Sequence, residues 1–380
     1  MNYLKFFYFM INIRIIVFLI FFLLVIFSAH YFIYFSVVRF FSITSPFCKN
    51  ILLALVFLLP LAFILSSFLT RWQEFFLIRV FYFLSGYWLG LVAYLLMAVS
   101  AVWLMVLISK VFGFNINTVV LTASFFILAL IISFYGIYNA LNPRIKNISV
   151  IIPGLADNWQ GKKIVQISDA HLGSILSTGF MRAVIEKVNS IEPKMVLITG
   201  DFFDSADGNI DTLAKLLNDI KAEAGVFFVT GNHETYLGAE KVLAALEKTK
   251  VRVLRDEIIE IDGLKLIGVG YPERDESKDV AVWLESVKEQ FYGRPNILLY
   301  HSPANAEEIR KKGINLQLSG HTHKGQIFPF GYIAKIVYRG YDYGLHQTGD
   351  YSIYISSGVG VWGPTMRTEG RSEIVVITLE

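Results

Sequence analysis

The chain has 380 residues and a formal net charge of +3, and only 17% of its residues are charged, against about 25% in an ordinary soluble domain. Residues 1–143 contain seven Lys or Arg and one acidic residue, Glu74, whereas residues 144–380 contain 27 basic and 30 acidic residues. The second part is slightly acidic and offers no basic surface, so nucleic acid is not an expected partner. The single cysteine, Cys48, excludes a disulfide framework and a cysteine-based metal site.

Four apolar runs, near residues 15–37, 51–69, 80–108 and 118–140, are each long enough to cross a bilayer. The first run is too long for a cleaved signal peptide, and three more follow it. We therefore predict a helical transmembrane anchor domain over residues 1–143. These runs contain His30 and no Asp, Glu, Lys or Arg, which favours an anchor over a transport pathway.

The Lys and Arg residues that flank the runs predict the orientation. Four spans place the N-terminus, the second connection and the C-terminal part on one side of the membrane. That side holds six basic residues, Lys5, Arg14, Arg71, Arg79, Arg144 and Lys146, and the other side holds three, Arg39, Lys49 and Lys110. The C-terminal domain is therefore expected in the cytoplasm.

Residues 144–380 alternate short β-branched runs with amphipathic helical runs, which is typical of an α/β domain. Strands are predicted near 148–152, 163–168, 195–199, 226–230, 264–269, 297–300, 316–319, 352–356 and 374–379, and helices near 178–190, 210–222, 239–248, 279–290 and 304–311. A hairpin of Val251–Ile261 with Leu264–Gly268, around Asp262-Gly263, implies that the sheets are mixed.

Polar signatures follow five of the predicted strands, where ligand sites of α/β sheets form. They are Asp169-Ala170-His171, Gly200-Asp201 with Asp204, Gly231-Asn232-His233-Glu234, His301 and Gly320-His321-Thr322-His323. Five of the seven histidines fall in these signatures. Neutral imidazoles, carboxylates and an amide oxygen form a ligand set suited to Mn, Fe or Zn.

This series of signatures resembles the calcineurin-like metallophosphoesterase superfamily over about residues 150–380. The run Gly325-Gln326-Ile327 and the tail from Gly358 to Arg367 resemble a bacterial, membrane-anchored subfamily, which implies a bacterial inner membrane protein. The resemblance implies a two-sheet β-sandwich flanked by helices over residues 144–380.

The resemblance also implies two divalent metal ions and a role for each signature residue. One metal ion would be held by Asp169, His171 and His323, the other by Asn232, His301 and His321, and Asp201 would bridge both. His233 would protonate the leaving oxygen, and Asp204 would orient His233.

These residues predict a metal-dependent hydrolase of a phosphate monoester, diester or pyrophosphate. A membrane anchor favours a lipid-linked substrate. A soluble nucleotide or phosphoprotein substrate is the alternative enzymatic interpretation. A transporter or sensor with a regulatory domain is the alternative without enzymatic activity.

Overall fold

The structure is a computed structural model that describes residues 3–72, 75–204, 209–273, 276 and 278–380. Glu74, expected in a loop, lies outside the described residues, as do the side chains of Lys5, Arg14 and Arg71 that entered the predicted orientation.

The N-terminal part consists of four long apolar helices, as the sequence predicts. They are α1 (Tyr3–Phe40), α2 (Pro46–Trp72), α3 (Phe76–Phe112) and α4 (Thr118–Leu141). Each has the length and composition to cross a membrane. A helix suits this environment because it satisfies every backbone hydrogen bond within its own segment.

The chain forms two compact units. The first contains Met1–Leu69 and Val80–Phe134, and the second contains Thr70–Arg79 and Tyr135–Glu380. The end of α4 and the connection between α2 and α3 therefore belong to the second unit.

The second unit contains two six-stranded sheets among its described residues. The strands are β1 (Arg144–Val150), β2 (Lys163–Ile167), β3 (Met195–Thr199), β4 (Val226–Val229), β5 (Arg252–Val253), β6 (Glu257–Ile261), β7 (Leu264–Val269), β8 (Asn296–Tyr300), β9 (Leu316–Ser319), β10 (Gly344–Thr348), β11 (Tyr351–Ile355) and β12 (Glu373–Leu379). Their orders are β1-β12-β2-β3-β4-β5 and β10-β11-β9-β8-β7-β6. The predicted hairpin is confirmed for residues 257–261, because β6 pairs antiparallel with β7 and Ile261 lies opposite Leu264. The start of the predicted strand instead forms β5, which pairs with β4 in the first sheet.

The helices of the second unit are short. They are α5 (Thr178–Ser190), α6 (Ile210–Lys215), α7 (Asn232–Leu237), α8 (Ala239–Leu246), α9 (Val280–Ser286), α10 (Ala306–Arg310) and α11 (Phe330–Val337). The predicted helices at 210–222 and 279–290 each end early and continue as a short 3₁₀ turn, Leu216–Asp219 and Lys288–Gln290.

Three apolar clusters define the layers of this unit. The middle cluster joins the facing sides of the two sheets, for example Leu197 and Val229 with Leu299 and Leu318. A second cluster packs the first sheet against α5, α6 and α8, and a third packs the second sheet against α9 and α10. The layer order of helices, two sheets and helices confirms the expected β-sandwich.

The carboxyl ends of the central strands meet at one edge of the sandwich. β2, β3 and β4 are parallel neighbours in the first sheet, and β8 and β9 are parallel neighbours in the second. The buried Gln166 side chain in β2 donates to the carbonyl of Ser319 at the end of β9 (2.9 Å) and to the hydroxyl of Thr199 at the end of β3 (3.0 Å). Both sheets are therefore tied together at the edge where the polar signatures lie.

Candidate metal centre

The predicted signature residues come together at this edge, each in the segment that directly follows its strand. Asp169, His171, Asp201, Asn232, His233, His301 and His323 are buried, and His321 is half-buried. Five of them, Asp169, His171, Asp201, His321 and His323, have positive φ values between 44° and 72°. Left-handed backbone at residues other than glycine is strained, and such strain clusters at functional sites.

The first group of candidate ligands consists of Asp169, His171 and His323, whose ligand atoms lie within 4.8 Å of one another. The Nε2 atoms of His171 and His323 are 3.0 Å apart, and His323 Nε2 is 3.4 Å from Asp169 Oδ1. Asp169 is fixed by the hydroxyl of Ser168 (2.5 Å) and by the backbone N–H of His321 (3.0 Å). This carboxylate and two imidazoles can serve one divalent cation.

The second group consists of Asp201, His301 and His321, also within 4.8 Å of one another. Asp201 Oδ2 is 3.1 Å from His301 Nε2, and His301 Nε2 is 3.2 Å from His321 Nδ1. The same Asp201 oxygen is 3.9 Å from His171 Nε2 in the first group. The Asp201 carboxylate therefore faces both groups.

Asn232 provides a test of whether a cation fits the second group. Its side-chain Oδ1 is buried and has no hydrogen-bond partner. A buried amide oxygen without a partner costs free energy unless a cation or water satisfies it. Asn232 was predicted as a ligand on the side of His301 and His321, and this unsatisfied oxygen fits that role.

Neighbouring groups set the orientation of His301. Its Nδ1 lies 2.7 Å from the carbonyl oxygen of Thr199. Because a carbonyl only accepts, Nδ1 carries a hydrogen, and Nε2 faces Asp201, to which it donates when the ring is protonated. Such outer contacts orient metal-binding imidazoles in proteins.

Burial lowers the pKa of His171 and of His323 well below the usual range, and it lowers the pKa of His321 to about 4. These three imidazoles are therefore neutral, which is the form that binds cations. For His301, burial alone would lower the pKa, but the adjacent Asp201 carboxylate outweighs burial and raises it. A cation must displace that proton when it binds.

His233 is a buried side chain next to His171 and Asp201. Its backbone N–H donates to Asp201 Oδ1 (2.8 Å), and its Nδ1 is 3.8 Å from Asp204 Oδ1, beyond hydrogen-bond distance. Its ring also comes within ligand reach of His171 and Asp201. The geometry is therefore compatible with a proton donor and with a further ligand.

Glu234 is a supporting residue to which the sequence interpretation gave no role. Its buried carboxylate accepts four backbone N–H groups, from Asp201 (2.9 Å), Phe202 (2.9 Å), Phe203 (3.2 Å) and Gly231 (2.7 Å). Burial raises the pKa of Glu234 to about 7, against the effect of these donors. Glu234 clamps the loops of Asp201 and Asn232 together. The available signal was a Glu at the third position of a helix that follows Gly231, which is half of a capping box.

Arg367 is the second residue without a predicted role. It is fully buried, and it donates from Nη2 to His323 Nδ1 (3.0 Å) and from Nη1 to the His323 carbonyl (3.2 Å). It also donates to the carbonyl of Gly360 (2.7 Å). The guanidinium, which can only donate, therefore holds the ring of His323 in place.

Two glycines are required by close approach. A Cβ at Gly231 would lie 2.2 Å from Asp201 Oδ1, and a Cβ at Gly320 would lie 2.1 Å from Asp169 Oδ2. Both positions touch a candidate carboxylate ligand, so any larger residue there would displace it.

Comparisons with known proteins match the domain that contains this site. A family model described as calcineurin-like phosphoesterase matches residues 162–325, the range that contains every candidate ligand. An uncharacterized metallophosphoesterase of Campylobacter jejuni is 35% identical over 68% of this chain and 69% of its own length. A Danio rerio protein described as a transmembrane protein with metallophosphoesterase domain is 30% identical over 67% of this chain and 61% of its own length. A solved dimetal phosphatase from Danio rerio aligns with a TM-score of 0.40 at 14% identity, over 58% of this chain and 99% of its own.

Proposed function

Because this chain belongs to the calcineurin-like metallophosphoesterases, we propose that it is a membrane-anchored hydrolase that uses two divalent ions to cleave a phosphate ester or anhydride. The anchor would be residues 1–143 and the catalytic domain residues 144–380. The observation that carries the proposal is the Asp201 carboxylate, which faces one ligand group on each side.

In this proposal, Asp169, His171 and His323 hold one ion, and Asn232, His301 and His321 hold the other. Asp201 would contact both ions. The nature of the ligands suits Mn, Fe or Zn. When bound, two such ions would supply an activated water and would neutralise the phosphoryl charge.

The remaining chemistry belongs to the chain itself. His233 lies next to His171 and Asp201, and we assign to its imidazole the donation of a proton to the leaving oxygen. Burial lowers the pKa of His233, and the nearby Asp201 carboxylate opposes that effect. We assign to Asp204 the orientation of His233, whose Nδ1 lies 3.8 Å from Asp204 Oδ1.

The test of this function is hydrolysis by the full chain in detergent or nanodiscs. Bis-p-nitrophenyl phosphate reports diester cleavage and p-nitrophenyl phosphate reports monoester cleavage, each with added Mn²⁺ and after EDTA treatment. We expect metal-dependent turnover of at least one substrate. A chain that bound two ions and hydrolysed neither would favour a sensor or transporter function.

We further propose that the catalytic domain lies in the cytoplasm of a bacterial cell, at the inner membrane. The six basic flanking residues against three support this orientation. A cytoplasmic site would meet nucleotides and lipid precursors, and an external site would meet finished envelope lipids. Alkaline phosphatase fused after Asn147 should be inactive, and an active fusion would reverse the orientation.

A further inference from the structure

Helix α11 presents its apolar side chains outward rather than into the protein. Among the described residues from Arg144 onward, twelve large apolar side chains are exposed, and seven of them lie on or beside this helix. The seven are Phe328, Phe330, Tyr332, Ile333, Ile336, Val337 and Trp362. A concentration of exposed apolar surface of this kind marks an interaction site.

The inward side of α11 is made by its backbone. Gly331 is the buried residue of the helix, and its N–H donates to Glu369 Oε2 (2.9 Å). A Cβ at Gly331 would collide with the Glu369 carboxylate. The helix therefore packs through a glycine, which leaves Ile336 77% and Val337 64% exposed.

The exposed apolar surface continues into the metal centre. A cleft of about 260 Å³ is lined by the candidate ligands His321 and His323 and by the apolar side chains of Ile327, Phe330, Trp362 and Pro364. Phe330 and Trp362 are members of both the exposed surface and the cleft. A molecule with a phosphate and an apolar portion could therefore bind the metal centre and this surface together.

The same surface lies close to the point where the chain leaves α4. The N–H of Arg367 donates to the carbonyl of Gly136, near the end of α4 (2.9 Å). The next residue, Thr368, accepts at its hydroxyl from the N–H of Phe328 (3.1 Å) and donates its own N–H to Gln326 (3.0 Å). One short segment therefore contacts both the end of the fourth apolar helix and the start of the α11 region.

A second connection to the apolar helices contacts the loop that carries His171. Arg79, in the part of the second unit that joins α2 and α3, donates from Nε to the carbonyl of Ser174 (3.2 Å), three residues after His171. Phe76 and Leu77 of that connection are 78% and 76% exposed. Two sites at which the chain meets its apolar helices thus lie beside the loops of the metal centre.

The charges on the α11 region match a membrane surface. Residues 327–341 contain no acidic residue and two basic ones, Lys335 and Arg339, both exposed. An apolar face with basic flanks is the pattern of helices that lie in the boundary between lipid headgroups and acyl chains, where anionic lipids attract Lys and Arg.

We propose that α11, with Phe328 and Trp362, lies in the headgroup boundary of the bilayer that holds the four apolar helices. The cleft beside it admits the apolar portion of a lipid phosphate ester whose phosphate lies at the metal centre. The substrate class in this proposal rests on the proposed hydrolase function, whereas the membrane contact of α11 does not.

The membrane contact is tested without any measurement of activity. Cys48 is the single cysteine of the chain, so Cys48→Ser gives a background for one label. A polarity-sensitive fluorophore at Ile336→Cys (77% exposed) is compared in nanodiscs with one at Val282→Cys, an exposed position (66%) on α9. Lipids with a quencher in the acyl chain should quench the first label several-fold more. Equal quenching at both positions would overturn the proposal.

The substrate class is tested with the full chain in phosphatidylcholine vesicles that contain phosphatidic acid or phosphatidylglycerol. The double variant Ile333→Asp and Ile336→Asp should lose at least tenfold of its lipid hydrolysis and keep its hydrolysis of soluble p-nitrophenyl esters. The matched control Val282→Asp should keep both.

A double variant that hydrolyses lipid at the wild-type rate would overturn the docking role of α11. A wild-type chain that hydrolyses only the soluble esters would overturn the lipid substrate. A wild-type chain that hydrolyses nothing, while Ile336→Cys is still quenched, would contradict the proposed function and leave the membrane contact standing.

Discussion

Replacement of Glu234 by Gln tests whether the metal loops depend on one buried carboxylate. One oxygen of Glu234 accepts from Asp201 and Gly231, and the other accepts from Phe202 and Phe203. In either orientation, Gln places its NH₂ group against two backbone N–H donors. Two buried donors then lose their acceptor, at about 1–3 kcal/mol each.

We therefore expect Glu234→Gln to lower the free energy of unfolding of the catalytic unit by about 3 kcal/mol. For a unit of this size, about 2–4 °C of melting temperature corresponds to 1 kcal/mol, so the loss should be about 6–12 °C. The two clamped loops carry Asp201 and Asn232, so we also expect fewer bound ions per chain.

The assay is calorimetric melting of the full chain in nanodiscs at pH 8, above the raised pKa of Glu234, with the metal content measured in parallel. The matched control is Glu240→Gln, because Glu240 is 82% exposed and pairs with Arg255 at the surface. Surface pairs contribute about 0–1 kcal/mol, so the control should melt close to wild type. If Glu234→Gln melts within about 2 °C of that control and keeps its ions, the role of Glu234 in holding the two loops together is wrong.

Four further outcomes are expected. Asp201→Asn should slow turnover about a thousandfold, equivalent to about 4 kcal/mol, because this carboxylate faces both ligand groups; near-normal kcat with full metal occupancy would remove it as the bridge. His233→Ala should keep both ions in a metal analysis and slow substrates with poor leaving groups most, whereas loss of an ion would make His233 a ligand. The raised pKa keeps a proton on His301 that metal binding must displace. The affinity of the site for the metal ion, measured by competition with a chelator, should therefore rise by about tenfold per pH unit between pH 6 and 8. An affinity that does not change with pH would contradict this. A fragment that begins at residue 135 should melt higher than one that begins at residue 145, because Ala140 is buried in the domain core and Asn139 donates to the Arg367 carbonyl; equal melting would show that this turn adds no stability.

The elements buried on both faces were the most predictable from sequence. Met195–Thr199, Leu264–Val269 and Leu316–Ser319 have their predicted limits. Met195–Thr199 is buried throughout, and a strand covered on both sides appears in the sequence as a nearly continuous apolar run. Helices α7 and α11 and strand β10 were not predicted. Helix α7 has only six residues and lies inside a ligand signature, and β10 is only half-buried at a sheet edge. Neither therefore shows a clear periodicity of apolar residues.

Helix α11 was missed for a different reason. Its apolar side chains are exposed, so the usual inference from apolar periodicity to burial does not hold there. Only its position beside the cleft and the end of α4 gives those side chains a role.

The sequence by itself determined the four apolar helices, the α/β domain and the candidate ligands, because each depends on composition or on residues that directly follow a strand. The tertiary structure alone decided which groups support those ligands. Glu234 reaches N–H groups more than 30 positions earlier in the chain, Arg367 reaches His323 across 44 positions, and Asn139 reaches Arg367 across 228. Such contacts depend on how the two sheets and the end of α4 pack, and local spacing carries no record of that packing.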